Sequence, residues 1–251
     1  SKGEELATYV KQVYPLKNKD VAVATSGYGI MIKKKDAQEC HAMKGEVEKL
    51  KYIHKLLEDK RGRLWIITED GKLYRKETNG RVTAHFVGTE GVDAQDIQQD
   101  VLGNLYLASK NQGVHLLRAG SNVFTRISSI GNLPIENIYI SRNNKLYIGC
   151  DGLGIYVYDP QTGFLQDNPL FSRLVNLAKS KVTSIIEDNQ GNIWVSMLQK
   201  GVFMQSNIQN DFNYMGFRLG SRNVIGENCV TSLSINQGNQ VWVGTDKDGL
   251  Y

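Results

Sequence analysis

Three kinds of residue in this 251-residue chain could do chemistry. Carboxylates stand in pairs at Glu58-Asp59 and Glu187-Asp188, with Asp100 alone, and two acids flanking one bond are what a glycosidase needs. Trp65, Trp194 and Trp242 offer flat apolar faces on which sugar rings stack. His41, His54, His85 and His115, with Cys40, Cys150 and Cys229, are the possible metal ligands and nucleophiles. Their spacing argues against that use. There is no HxxH, HExxH or CxxC, so no metal is expected, and an odd cysteine count gives no disulfide framework. Cys150 lies in the apolar run KLYIGC and reads as a buried, inert thiol. No GxxxxGK[ST] loop is present to cradle a nucleotide phosphate, and no cofactor is expected.

The acids and tryptophans recur, and the recurrence decides how they read. In VTSIIEDNQGNIWVSMLQKGVF, from Val182, apolar residues occupy positions one, four, twelve and fourteen, with Trp194 at thirteen and Gly201 at twenty. The same template fits from Ile53 (Trp65, with Gly71 one residue early), Ala94 (Tyr106, Gly113), Ile135 (Tyr147, Gly154) and Val230 (Trp242, Gly249). It also fits from Val10, with Ala22 in place of the aromatic and Gly29 in register. Position thirteen advances in steps of 43, 41, 41, 47 and 48 residues, the period of a repeat architecture.

Each copy holds short runs of Val, Ile, Leu, Tyr and Trp between Gly, Asn and Asp turns, so the unit is β. A third strand follows the glycine, and a fourth is expected in the variable stretch, for example at Gly163 to Gln166. Four antiparallel strands repeated radially make a β-propeller blade. The runs LWII, LYLA and IWVS are apolar throughout rather than alternating, as in a sheet covered on both faces. The fold class is therefore an all-β propeller over residues 1–251, with no second domain and about six units starting near 10, 53, 94, 135, 182 and 230. The sixth copy stops within its third strand, and the rest of the ring is expected beyond Tyr251.

Composition narrows the function classes. Hydrophobic residues at 41% and charged residues at 22% are ordinary for a globular chain with a large core. Net charge is +4, but acids are interleaved with Lys33-Lys34-Lys35 and Lys60-Arg61-Gly62-Arg63, and no nucleic-acid motif accompanies them. No nucleic-acid partner is expected. No apolar run approaches the roughly 18 residues that span a bilayer.

The pattern V-x-x-I-x-x-D-x-x-G-x-x-W-x-G-T followed by Gly-Leu resembles the two-component regulator propeller repeat. Residues 182–203 carry it most fully, VWVGTDKDGLY closes the last copy, and the opening copy departs from it at Ala22. The resemblance is to periplasmic sensor regions of Bacteroides-type hybrid two-component system histidine kinases. It implies two seven-bladed propellers, an immunoglobulin-like domain, a membrane helix, and kinase and DNA-binding modules outside this chain. It further implies oligosaccharide ligands, a homodimer, a periplasmic location, and membrane attachment only through other parts of the protein. The chain itself would then be a sensor and not an enzyme. A propeller polysaccharide lyase or glycosidase, or a protein-interaction scaffold, are the alternatives.

Template residues are committed to packing and turns, so recurring acids and tryptophans read as turn caps and blade core. No catalytic residue is assigned. Ligand recognition is expected where copies differ, on the rim made by the loops between second and third strands and the links between blades. The candidates are Tyr28, Asp70, Lys110, Asn111, Asp151, Lys200 and Asp246, whose amides, carboxylates and ammonium groups can bond hydroxyls directionally.

Overall fold

The computed structural model of the chain describes residues 9–84, 86–167, 179–207, 230–235, 240–246 and 249–250. Two compact units are present, residues 1–207 and 208–251. The first holds five sheets in chain order. Blade 1 comprises Tyr9–Pro15, Val21–Ser26, Ile30–Lys33 and Cys40–Ala42; blade 2 comprises Ile53–Glu58, Leu64–Thr68, Leu73–Lys76 and Val82–Thr83. Blade 3 comprises Ala94–Gln99, Leu105–Ser109, Gly113–Leu117 and Phe124–Arg126; blade 4 comprises Ile135–Ile140, Leu146–Cys150, Ile155–Tyr158 and Leu165–Asp167. Blade 5 shows Val182–Glu187, Ile193–Met197 and Gly201–Gln205. In the second unit, Val230–Ile235 pairs antiparallel with Val241–Thr245, the first two strands of the sixth copy. Every blade pairs its strands sequentially and antiparallel, and the first strands of successive blades pack together as the innermost layer. The fold is an all-β propeller of four-stranded antiparallel blades.

The core of the first unit lies between blades. One apolar layer joins Ala22, Ala24 and Ile30 to Ile53, Leu56 and Ile66; the next joins Trp65 and Ile67 to Ile97, Leu107 and Phe124. Two more join Tyr106 and Val114 to Ile138 and Ile148, and Ile155 to Val182 and Val195. Successive residues of each second strand face opposite neighbours. Leu64–Thr68 and Leu105–Ser109 are accordingly buried at every position, as their unbroken apolar runs required.

The tryptophan expectation holds only in part. Position thirteen points toward the following blade, so Trp65 and Tyr106 are buried. Trp194 occupies the same position in blade 5, which no further described blade of its unit covers, and it is 37% exposed. Burial along Ile193–Met197 alternates accordingly. Trp242, in the second unit, is 43% exposed. Reading both as blade core is corrected for the described residues.

Polar side chains of the inner strands clasp the layers together. At position three, Gln12 accepts the Leu56 N–H (2.6 Å), Lys55 pairs with Asp96 (3.6 Å), Asp96 accepts the Ile138 N–H (3.1 Å), and Asn137 donates to the Val182 carbonyl (2.9 Å). At position six, Glu58, Gln99 and Glu187 accept the N–H groups of Lys17, Lys60 and Arg142 from the preceding blade's turn (2.7, 2.7 and 2.8 Å).

Two turn positions need a left-handed backbone. Position ten has φ of 84° at Gly191, and non-glycine Lys19 (71°) and Asn144 (59°) take the same conformation in other copies. Gly113, at position twenty, has φ of 72°, and a Cβ there would lie 2.1 Å from the Gly131 carbonyl oxygen. At Gly191 the added Cβ would meet the movable Asn207 amide at 2.7 Å. Gly191→Ala is therefore expected to cost about 1–2 kcal/mol, with Gly113→Ala costing more because backbone must move as well. Urea midpoints of the two variants check the order.

Candidate functional site

The recurring acids are consumed by the scaffold. Asp59 Oδ1 accepts the N–H groups of Arg61 and Arg63 (2.9 and 3.0 Å), while Oδ2 accepts Arg63 Nε (2.7 Å) and Trp65 Nε1 (2.9 Å). Asp188 repeats this with Gln190, Asn192 and Trp194 Nε1 (2.8 Å), and Asp100 with Leu102, Asn104 and the Tyr106 hydroxyl (3.4 Å). One oxygen caps the hairpin and the other anchors the aromatic six residues later. Burial would raise the Asp59 carboxyl, but hydrogen bonds from Trp65 and Arg63 outweigh it and the net displacement is downward. The Trp194 and Asn192 hydrogen bonds lower Asp188 to about 2. A glycosidase acid needs the opposite displacement. Glu58 and Glu187, the other halves of the pairs, are the interblade acceptors described above.

Among the described residues no group of three or more His, Cys, Asp or Glu side chains is arranged to hold a metal ion. His85 and Cys229 lie outside the described residues. Cys150 is buried, and burial, with Asp167 nearby, pushes its thiol up to about 12.

In the first unit the loops between second and third strands share a rim, the blade 1 loop bonded to the link that enters blade 2 and the loops of blades 2, 3 and 5 to the link that enters their own blade. Gly27 and Gly29 donate to the Lys51 carbonyl (2.8 and 2.9 Å), Glu69 to Tyr52 (3.0 Å), Lys110 to Asp93 (3.0 Å), and Leu198 to Lys181 (3.0 Å). Six of the candidates are spread along it. Tyr28 is exposed in the blade 1 loop. Asp70 accepts the Thr68 hydroxyl (2.6 Å) and pairs with Lys72 (2.6 Å). Lys110 is exposed beside Asn111, which accepts the Ser109 hydroxyl (2.8 Å). Asp151 pairs with Lys181 (2.9 Å), and Lys200 donates to Ser180 Oγ (2.9 Å). Asp246 is exposed in the second unit.

Asp70 lines a sizeable cleft. A cavity of about 480 Å³ opens between Lys49, Lys51, Tyr52, Glu69, Asp70 and Tyr74. A larger one of about 680 Å³ shares Asp70 and Tyr74 and continues under the link to blade 3, against Phe86, Val87, Val92 and Leu107. Tyr52 is 59% exposed at the mouth of the first cavity, with its backbone strapped to the Glu69 N–H. Lys49, Lys51 and Tyr52 were missed as individual residues. Their only sequence signal is a place in a link between blades.

The family model for the two-component regulator propeller matches residues 49–70 and 176–199. Those two stretches are similar to the two-component regulator propeller repeat. The first matched repeat contains the Tyr52 cleft wall from Lys49 to Asp70, and the second contains the Asp188–Trp194 pair. Extracellular domains of two putative hybrid two-component systems from B. thetaiotaomicron share the fold, at 17% and 20% identity and TM-scores of 0.65 and 0.66. They cover 100% and 96% of this chain, which spans only 33% and 32% of theirs. Virginiamycin B lyase from Staphylococcus aureus is similar at 12% identity and a TM-score of 0.60, over 93% of this chain and 76% of the lyase. No curated protein matches the sequence.

Proposed function

We propose that this chain is the ligand-binding part of an extracytoplasmic sensor. It recognises an oligosaccharide and passes occupancy to kinase modules elsewhere in a periplasmic, dimeric signalling protein. The observation that carries this reading is the division of labour among polar residues. Recurring acids are engaged by hydrogen bonds in turns and between blades, whereas an exposed tyrosine, lysines and a carboxylate gather at a cleft on the rim. An aromatic face beside directional polar groups is the chemistry of sugar recognition. The regulator repeats and the likeness in fold to sensor extracellular domains support the same assignment.

Titration calorimetry of the chain against an oligosaccharide panel tests it. Tyr52→Ala is expected to weaken binding about tenfold, equivalent to about 1.4 kcal/mol, with the melting temperature unchanged. Turnover of a polysaccharide, abolished by one carboxylate substitution, would replace this reading with an enzyme.

A further inference from the structure

Charge around the Tyr52 cleft is unequally satisfied. Of its two lining acids, Glu69 pairs with Lys11 (3.3 Å), and Asp70 with Lys72 and the Thr68 hydroxyl. The glutamates just before the cleft are also engaged: Glu46 accepts the Val82 N–H (2.7 Å) and Glu48 the Gly45 N–H (2.9 Å). Lys49 and Lys51 are exposed, and among the described residues neither has a carboxylate within ion-pair distance. Their backbone is fixed, since the Lys51 carbonyl accepts from both Gly27 and Gly29, on either side of exposed Tyr28. Two cations without partners therefore stand at a preformed cavity beside an aromatic face.

We infer that the cleft between the link entering blade 2 and that blade's loop at residues 68–70 takes an acidic sugar, a saccharide unit bearing a carboxylate or a sulfate, with its anion on Lys49 and Lys51 and its ring against Tyr52. The inference deepens the sugar-binding reading above and rests on it. Ammonium groups serve as point charges and do not demand the bidentate geometry of arginine, so both anions fit.

The test uses the 251-residue chain and three matched trisaccharides: a uronate, a sulfated form and a neutral form. At about 0.01 M salt at least one acidic form should bind on the order of tenfold more tightly than the neutral one. That preference should shrink at about 0.5 M salt, where exposed charges are screened. Lys49→Gln with Lys51→Gln should abolish it without changing the melting temperature, and Lys49→Arg with Lys51→Arg should retain it. Tyr52→Ala should weaken acidic and neutral forms alike. Equal binding of the neutral form, or a preference that survives the double glutamine variant, overturns the acidic assignment and leaves the sugar-binding reading standing. If no saccharide binds at all, that broader reading falls, and this inference with it.

Discussion

Trp65→Ala is expected to destabilise the first unit by about 3–5 kcal/mol, the usual cost of truncating a large buried aromatic. Trp65 has no exposed surface; Phe86 packs 5.2 Å from it between centroids and Phe124 meets it edge-on at 6.1 Å. Arg75 lies over its ring at 5.2 Å, so the truncation also removes a cation–π contact. Trp194→Ala makes the same chemical change at the same template position in a residue already 37% exposed, and should cost well under half as much. Urea unfolding of both variants decides the matter. Equal shifts in midpoint would show that the two indoles are packed alike, contrary to the alternating burial of blade 5.

Asp59→Ala should be comparably severe, at about 3–5 kcal/mol, because it leaves a guanidinium and an indole N–H without their acceptor. Asp59 is fully buried and receives four hydrogen bonds, two of them from side chains. Asp59→Asn keeps the size but loses the charge and should fall between wild type and alanine. The acid response has a definite sign. Carboxyls held below their ordinary value of 3.8 contribute stability that is complete above that pH and is lost as pH falls through the folded value. Asp59 is displaced in this direction and Asp188 sits at about 2, so unfolding midpoints should decline as pH drops from about 4 toward 2. In Asp188→Asn part of that decline should be missing. A midpoint independent of pH over this window would contradict the network at both turns.

Much of the blade was legible because its causes are local. A hairpin glycine is demanded within a few residues of itself, and the reading of Asp59, Asp100 and Asp188 as turn caps followed from the short spacing of Asp and Gly. The second duty of those carboxylates, accepting the aromatic six residues later, was present in the spacing and overlooked. The interblade role of Glu58 was not readable, since its partner Lys17 is 41 residues away and offers only a backbone N–H. Trp194 and Trp65 are indistinguishable in the repeat, because exposure is decided by which blade follows and not by the residue. At the cleft, the rim and its links could be named in advance, but Lys49, Lys51 and Tyr52 could not. What sets the two lysines apart from the many others is that neighbouring acids are already spoken for, a property of the folded charge pattern alone.

The interblade clasps also give assembly a direction. Each of three turns obtains its acceptor from the succeeding blade: Lys17 from Glu58, Lys60 from Gln99, and Arg142 from Glu187. A polypeptide that emerges amino end first, from a ribosome or a translocation pore, cannot complete a given blade when that blade's own residues are out. Completion waits for the next inner strand, about 40 residues behind. Maturation therefore runs one blade in arrears of emergence, and the leading edge of the growing structure always presents an uncovered apolar face with an uncapped turn. Whatever guards the nascent protein has to follow that moving edge rather than stay at one fixed segment.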